Sequence, residues 1–335
     1  MPRTTLAAKE VGAPATTPHF KSTGPPMNNS LEIAILVPCH NEAIAIADVI
    51  RDFKTALPNS KIYVYDNNST DNTTEIAQLN GAIVKKETNK GKGNVVRRMF
   101  ADVEADIYVM VDGDNTYEAQ KAPILIEKLI NEQLDMVVGS RVEKQATDKY
   151  ATYRLGHRFG NSLFSTIIAR LFGRQFKDVF SGYRIFSRRF VKSFPATSRG
   201  FDIETEFTIH SLELRLPTAE IETSYGARPE GSTSKLNSYK DGFKILMRIL
   251  LLLKEVRPLL FFGGIFVILA ILSCMLFVPV FIDYLQTGLV QRFPTAILST
   301  GIMLLAFMSL TCGIILDNVC RARREMKRFF YLNVK

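Results

Sequence analysis

Two long apolar segments near the C-terminal end of the chain constrain its fold more than any other feature. Residues 258–282 and residues 293–316 contain no ionisable side chain. Each segment exceeds the roughly 20 residues that cross a hydrocarbon core of about 30 Å. A buried hairpin of a soluble core is the alternative, but soluble helices of this length normally carry a polar face. The segments therefore predict a hairpin of two transmembrane helices, and its scarcity of polar side chains favours an anchor over a channel.

The basic residues of the chain are concentrated beside these segments. Of the net charge of +9, residues 240–257 account for +3 and residues 317–335 for +4, which leaves +2 for the remainder. This siting favours membrane lipid over nucleic acid as a partner. The connector, residues 283–292, carries no net charge. The positive-inside rule then predicts a multi-pass membrane protein with both termini in the cytoplasm and the hairpin tip outside. The expected location is the cell (inner) membrane. Residues 1–30 lack the apolar core of a signal peptide and are expected to form a flexible tail.

Residues 31–140 alternate short apolar runs with helical patterns. The predicted strands cover residues 33–37, 62–65, 82–86 and 107–111, and the predicted helices cover residues 42–56, those from 70 onward, and 92–103. This alternation indicates an α/β fold with a mostly parallel sheet and helices on both faces. Ligands of such sheets bind beyond the carboxyl ends of the strands.

Polar clusters follow three of the predicted strands. They consist of Pro38, Asn41 and Glu42, then Asp66, Asn67 and Asn68, and finally Asp112 and Asp114. Because the carboxyl ends of parallel strands share one edge of the sheet, we expect the clusters to converge on one crevice. Ser69 and Thr70, next to the second cluster, have capping of the following helix as an alternative role.

Asp112 and Asp114 are separated by a single glycine at the end of an apolar strand. Carboxylates are hard oxygen ligands, and Mg²⁺ or Mn²⁺ held by one or two of them takes its other ligands from water and substrate phosphates. The pair therefore predicts a divalent metal site, with a solvated turn as the alternative.

The segment Lys90-Gly91-Lys92-Gly93 opens a predicted helix. Free amides at a helix N-terminus, glycines that permit close approach and lysine charge together favour a phosphate-bearing ligand. Neither a Walker loop nor a GxGxxG pattern is present, which disfavours dinucleotide redox chemistry.

Taken together, these residues carry a family resemblance. The motifs are Pro38-x-x-Asn41-Glu42, Asp66-Asn67-x-Ser69-x-Asp71, Lys90-Gly91-Lys92-Gly93, Asp112-x-Asp114, Gly139-Ser140-Arg141, Asp178-x-x-Ser181-Gly182-Tyr183-Arg184 and Arg228-x-x-Gly231-x-x-Ser234-Lys235. In this order they resemble the family 2 glycosyltransferases of GT-A fold. With the two apolar helices that follow, the chain is similar to the polyprenyl-phosphate glycosyltransferases, the group of dolichyl-phosphate mannose synthase and bacterial polyprenyl-phosphate glucosyltransferases.

The resemblance implies an inverting glycosyltransferase that moves a sugar from a nucleotide-sugar to a polyprenyl phosphate on the cytoplasmic leaflet. UDP-glucose or UDP-N-acetylglucosamine is the favoured donor, and GDP-mannose is the alternative. The implied donor-binding residues are Pro38, Asn41, Glu42, Asp66, Asn68, Lys92, Asp112, Arg141, Arg228 and Lys235. The implied ligands of Mg²⁺ or Mn²⁺ are Asp112 and Asp114, and Asp114 is also an implied catalytic residue.

The acceptor phosphate needs no general base, because a phosphate monoester already carries about −1.5 to −2 charge at pH 7. Catalysis must then come from aligning two anionic reactants and offsetting their repulsion. The resemblance places the acceptor-phosphate ligands at Lys177 and Ser181, with Arg154 or Arg158. The family often has arginine where this chain has Lys177, which lacks the bidentate fork. Arg154 and Arg158 have a solvated helix face as their alternative.

The rest of the chain fits the same plan. We expect a catalytic domain over residues 31–235, a juxtamembrane amphipathic helix over residues 236–257, and two transmembrane helices with a basic cytoplasmic tail over residues 258–335. The acidic residues Asp202, Glu204 and Glu206 suit either one face of a strand or the first turn of a helix. A catalytically silent membrane scaffold or nucleotide-sugar sensor is the alternative function, and homo-oligomer formation is left open.

Overall fold

A computed structural model describes residues 31–143, 176–200, 202–226 and 253–334, together with the single residues 166, 170 and 251. The predicted N-terminal tail lies outside the described residues, as do Arg154, Arg158, Arg228 and Lys235, and so does nearly all of the predicted juxtamembrane helix.

A seven-stranded sheet forms the centre of the soluble part. The strands are β1 (Ile33–Cys39), β2 (Lys61–Asp66), β3 (Ile83–Lys86), β4 (Ile107–Met110), β5 (Met136–Glu143), β6 (Arg184–Ser187) and β7 (Thr218–Tyr225). Their order is β3-β2-β1-β4-β6-β5-β7. Only β6 runs against its neighbours, β4 and β5. The prediction of a mostly parallel α/β sheet is therefore confirmed.

Helices cover both faces of the sheet. They are α1 (Ile46–Ala56), α2 (Thr73–Leu79), α3 (Lys92–Asp102), α4 (Ala122–Asn131), α5 (Arg188–Ser193) and α6 (Ile203–Glu213). Successive strand residues point to opposite faces, so Leu36 packs with α3, α5 and α6 while Ile35 packs with α1 and α4. The two resulting apolar layers hold the strand ends in fixed positions.

Two differences from the predicted elements concern helix starts. The first helix begins at Ile46 rather than near Glu42. A turn precedes it, in which the Glu42 carbonyl accepts from the amides of Ala45 and Ile46, both at 3.0 Å. The acidic residues Glu204 and Glu206 lie in the first turn of α6. Of the two alternatives for that segment, the helix start is the one observed.

The C-terminal part is a hairpin of two long helices, α7 (Pro258–Thr287) and α8 (Phe293–Asn333). Both are long and apolar enough to cross a membrane, and only 11% and 17% of their most apolar stretches is buried. The hairpin therefore does not lie inside a water-soluble core. The expected basic tail is not a separate segment, because α8 continues without a break to Asn333.

Side-chain hydroxyls and one glycine join the two helices of the hairpin. Ser273 Oγ donates to the Ser299 carbonyl at 2.7 Å, and Ser309 Oγ donates to the Phe262 carbonyl at 3.0 Å. At Gly313, a Cβ would lie 3.0 Å from Phe262 Cβ. Small residues at such crossings let helix backbones approach closely, and polar side chains then bond across the interface.

A substitution at this crossing tests the packing of the hairpin. Gly313→Leu should force α7 and α8 apart and destabilise the protein by about 1–3 kcal/mol, the usual cost of overpacking. Gly301→Leu is the matched control, since nothing lies within 4 Å of a Cβ built there. The measurement is the thermal unfolding midpoint in detergent. Equal midpoints for the two variants would contradict the packing described.

Candidate active site

The carboxyl ends of β1, β2 and β4 meet at one edge of the sheet. Cys39 is paired in register with Asp66, and the Asn67 amide donates to the Cys39 carbonyl at 2.8 Å. Burial raises the pKa of the Cys39 thiol well above its usual value, and nearby negative charges on the side chains of Glu42, Asp112, Asp66 and Asp114 raise it further. The structure thus brings the three predicted clusters together around one buried thiol.

The second cluster builds a rigid loop. The Asp66 carboxylate is 1% exposed and accepts from the Ser69 amide at 3.1 Å. Asn68 has a positive φ of 62°. Asn41 Oδ1 accepts from the Thr70 amide at 2.8 Å, and Ser69 Oγ accepts from the Asn41 amide at 2.9 Å. Ser69 and Thr70 therefore tie the first cluster to the second rather than cap α2. At the start of that helix the Thr73 amide donates to Asp71 Oδ1 at 3.1 Å.

Asn67, which the sequence analysis placed in the second cluster without a separate role, clamps this loop to the next. Its Oδ1 accepts from the Gly91 amide at 2.7 Å, and its Nδ2 donates to the carbonyls of Glu87 and Asn89 at 2.9 and 2.8 Å. These three hydrogen bonds of a side chain that is 8% exposed all go to backbone groups. The signal available in the sequence was only its place inside a polar cluster.

Asp112 and Asp114 differ in how firmly they are held. Asp114 is 4% exposed, and its Oδ1 accepts from Thr116 Oγ1 at 2.6 Å. The Asp112 side chain is 30% exposed. It lies so close to Gly182 that a Cβ there would be 2.5 Å from Asp112 Oδ2. One carboxylate is therefore fixed and the other borders the crevice.

The chemistry of this pair fits a divalent cation. Both side chains offer hard oxygen donors of the kind that Mg²⁺ and Mn²⁺ accept. Within the described residues, no group of three or more His, Cys, Asp and Glu side chains is arranged to hold a metal. A site made from two aspartates is the type that leaves coordination positions for water and substrate phosphates.

Lys92 occupies the space between the third cluster and helix α6. Its Nζ donates to Asp112 Oδ1 and, at 2.5 Å, to Glu204 Oε1. Burial opposes the charged form, but the negative charges of Asp112 and Glu204 outweigh it and raise the pKa of Lys92 above its usual value. Lys92 was expected to hold the nucleotide. In this structure its ammonium is paired with two carboxylates. A nucleotide phosphate that binds Lys92 would have to compete with them, and the expected contact stays a prediction.

The interpretation of Gly91 and Gly93 as a phosphate cradle needs correction. A Cβ at Gly93 would lie 2.2 Å from the Ser198 carbonyl oxygen, and one at Gly91 would lie 2.0 Å from that of Arg199. The Gly93 amide donates to the Gly200 carbonyl at 3.1 Å. The close approach that these glycines permit is therefore to the backbone of residues 198–200, which covers the start of α3.

The residues expected to meet the acceptor phosphate lie around the start of β6 and its neighbour β7. Lys177 is exposed, and its Nζ donates to Glu222 Oε1 at 2.9 Å. Ser181 has no exposed surface, and its Oγ donates to the Gly139 carbonyl at 2.6 Å. In this structure the Ser181 hydroxyl is therefore enclosed and bonded to backbone, and its expected contact with the acceptor phosphate stays a prediction. Lys177 remains a prediction.

Arg141 is engaged with protein groups. Its Nε and Nη2 donate to the two oxygens of Asp178 at 2.6 and 2.9 Å, and its guanidinium lies 5.4 Å from the centre of the Tyr225 ring. This bidentate pair ties β5 to the loop before β6. The expected contact of Arg141 with the donor stays a prediction.

Arg184 is a residue that the sequence analysis did not assign to the site. It is fully buried and donates to the carbonyls of Ser181 and Val179 at 2.9 and 2.7 Å and to Thr208 Oγ1 at 3.0 Å. Burial lowers its pKa to about 10, so the guanidinium keeps its charge at neutral pH. Arg184 therefore holds the loop whose Gly182 lies against Asp112. The sequence could have indicated its importance, because an arginine inside an apolar strand is unusual.

Comparisons with known proteins place this site in context. A family model described as glycosyl transferase family 2 matches residues 34–194. Glycosyltransferase AglJ of Haloferax volcanii is 36% identical over 239 residues, which are 70% of this chain and 76% of that protein. The UDP-N-acetylglucosamine–dolichyl-phosphate N-acetylglucosaminyltransferase of Methanococcus voltae is 27% identical over 66% of this chain and 95% of that protein.

Among solved structures, the likeness concerns the fold. Glucosyl-3-phosphoglycerate synthase from Mycobacterium tuberculosis, in complex with Mn²⁺, UDP and glucosyl-3-phosphoglycerate, matches with a TM-score of 0.52 at 22% identity. The match covers 65% of this chain and 80% of that one. The GT-A type of sheet is thereby confirmed.

The arrangement around Lys92 gives a prediction for stability. Lys92→Met should destabilise the protein by about 3–5 kcal/mol, because two carboxylates would be left near each other without their cation. Adding Glu204→Gln should recover part of this loss. Thermal unfolding of the two single variants and the double variant measures the coupling. Strictly additive effects would show that Lys92 and Glu204 do not interact.

Proposed function

Because this chain belongs to glycosyl transferase family 2, we propose that it transfers a sugar, with inversion, from a nucleotide-sugar to a polyprenyl phosphate at the cytoplasmic face of a membrane. The chain is a glycosyltransferase by its family. The acceptor, the donor and the orientation in the membrane are the parts proposed. The observation that carries the proposal is the presence, in one chain, of a crevice lined by carboxylates and a hairpin able to cross a membrane.

The hairpin supports a lipid-borne acceptor. Two helices with long apolar stretches, residues 258–282 and 293–316, would keep the catalytic domain at a membrane. An acceptor that cannot leave the bilayer requires the catalytic domain to stay beside it. The named activity of the Methanococcus voltae relative, transfer of N-acetylglucosamine to dolichyl phosphate, is of this kind. Basic residues on the outer flanks of both helices support a catalytic domain on the cytoplasmic side. The membrane proposed is the cell (inner) membrane.

The residues of the crevice suit the chemistry of this transfer. The acceptor phosphate is itself the nucleophile, so no side chain has to remove a proton. Asp112 and Asp114 would hold Mg²⁺ or Mn²⁺, which when bound supplies charge neutralisation to the departing diphosphate. The rigid loops at Asn41, Asp66 and Asn67 would fix the donor nucleotide, so that binding and alignment supply most of the rate enhancement.

Basic side chains are proposed to bind the phosphate of the acceptor. Lys177 lies at the surface, where its ion pair with Glu222 is solvated and weak. A phosphate arriving there could replace Glu222 as its partner at little cost. Arg154 and Arg158, with Arg228 and Lys235 on the donor side, complete the proposed set. UDP-glucose or UDP-N-acetylglucosamine is the proposed donor, and GDP-mannose is the competing one.

A transfer assay tests the whole proposal. The purified protein in liposomes receives polyprenyl phosphate, Mg²⁺ or Mn²⁺, and each common nucleotide-sugar in turn, and mass spectrometry identifies the product. We expect a glycosyl-phospholipid with one of the UDP-sugars, and its loss when a chelator removes the divalent cation. If no donor gives a glycolipid, the alternative of a silent scaffold or nucleotide-sugar sensor is favoured.

The proposed role of Asp114 gives a residue-level prediction. Asp114→Asn should lower turnover about 100-fold or more, since it weakens metal-assisted charge stabilisation at the departing diphosphate. Asp106→Asn is the matched control, because Asp106 is an exposed carboxylate that precedes the same strand at the opposite edge of the sheet. The thermal midpoint of both variants should stay close to that of the unmodified protein. Near-normal turnover by Asp114→Asn would remove Asp114 from the metal site.

A further inference from the structure

The last part of α8 is longer than a membrane span requires. The apolar stretch of this helix ends at Leu316, and the helix continues for residues 317–333. At 1.5 Å per residue, this continuation extends about 25 Å beyond the apolar stretch. It is a continuous part of the helix and carries basic residues. We call residues 317–333 the α8 extension.

The α8 extension is bonded to the catalytic domain. Tyr331 OH donates to Asp135 Oδ2 at 2.7 Å and accepts from Arg189 Nη1 at 3.3 Å, and the Arg189 guanidinium lies 5.1 Å from the Tyr331 ring centre. One turn earlier, Lys327 Nζ pairs with Glu213 Oε2 at 2.8 Å. The Glu213 side chain is 10% exposed and that of Lys327 is 33% exposed. These are partly buried contacts with fixed geometry rather than solvated surface pairs.

The contacts lie at the edge of the sheet opposite the crevice. Asp135 immediately precedes β5, and Arg189 follows the antiparallel strand β6, so both mark the edge where the parallel strands begin. Asp135 is held there by Ser187 Oγ, which donates to it at 2.6 Å. The α8 extension therefore binds the catalytic domain at a place away from the proposed donor and metal residues.

A second attachment lies where the chain enters α7. Val256, two residues before that helix, is 6% exposed and belongs to the same apolar layer as Phe190, Phe194 and Phe207. Tyr331 packs against this layer as well. Cys320 Sγ contacts the Glu255 carbonyl at 3.0 Å, which joins the α8 extension to the entry of α7. Two separated attachments restrict rotation of a domain far more than a single flexible linker does.

We propose that the α8 extension is a rigid strut that fixes the height and orientation of the catalytic crevice relative to the membrane, with Lys327 and Tyr331 as positioning residues. The inference rests on the proposed function, because it concerns transfer to an acceptor confined to the bilayer. Alignment of two reactants to within about 1 Å controls rates by up to about 100-fold. A strut serves this alignment when one reactant is held by the membrane and the other by the soluble domain.

The experiment compares two acceptors for each variant. One is a long-chain polyprenyl phosphate in liposomes, and the other is a short-chain, water-soluble prenyl phosphate that reaches the crevice without the membrane. Lys327→Met combined with Tyr331→Phe should lower transfer to the long-chain acceptor about 10-fold and leave transfer to the short-chain acceptor within about twofold. Arg328→Met is the matched control, because Arg328 is exposed on the next position of the helix.

A second variant separates docking from rigidity and covers the case in which the double variant is unstable. Insertion of Gly-Ser-Gly-Ser after Arg321 leaves Lys327 and Tyr331 free to dock but interrupts the helix between them and the membrane. The strut requires the same selective loss with the long-chain acceptor. Nucleotide-sugar binding, measured by titration calorimetry, should be unchanged.

The outcomes are distinguishable. Equal losses with both acceptors, or no loss with either, would overturn the strut. If the unmodified protein glycosylates neither acceptor, the proposed function fails instead. Selective loss with the long-chain acceptor in both variants, with Arg328→Met unaffected, supports the positioning role.

Discussion

Negative charge at the carboxyl ends of three strands is the constraint on which the site depends. The negative charges of four carboxylates act on the Cys39 thiol, and such a group is stable only if its charges are paired or bonded. Lys92 pairs with one of them, Asp112, and also with Glu204 of helix α6. Threonine and backbone amides bond Asp114 and Asp66. One lysine does not balance this many carboxylates, so the site keeps an excess of negative charge of the kind that a divalent cation would offset.

The same arrangement joins distant parts of the chain. Lys92 begins α3 and Glu204 lies in the first turn of α6, so their ion pair holds the two helices together over the sheet. Gly91 and Gly93 allow residues 198–200 to lie directly on this junction. The glycine-rich segment thus packs against the backbone of residues 198–200 at this junction.

The hairpin and the catalytic domain are connected through packing as well as through the chain. Val256 enters the apolar layer of the soluble domain, and Tyr331 returns to the edge of the sheet from the far end of α8. The two apolar helices are therefore packed against and bonded to the domain whose strands carry the carboxylates. For a reaction between a soluble donor and a lipid, this continuity is the physical link between fold and proposed function.

The sequence by itself determined the α/β class, the positions of β1 to β4, the convergence of three polar clusters, and the two apolar helices. Each depends on local periodicity or on the rule that parallel strands end at a common edge. Tertiary structure alone decided the partners of Lys92, the enclosure of Ser181, the packing of Gly93 against Ser198, and the docking of Tyr331 on Asp135. These contacts join residues tens to hundreds of positions apart, and no local pattern encodes which distant side chain fills a buried space.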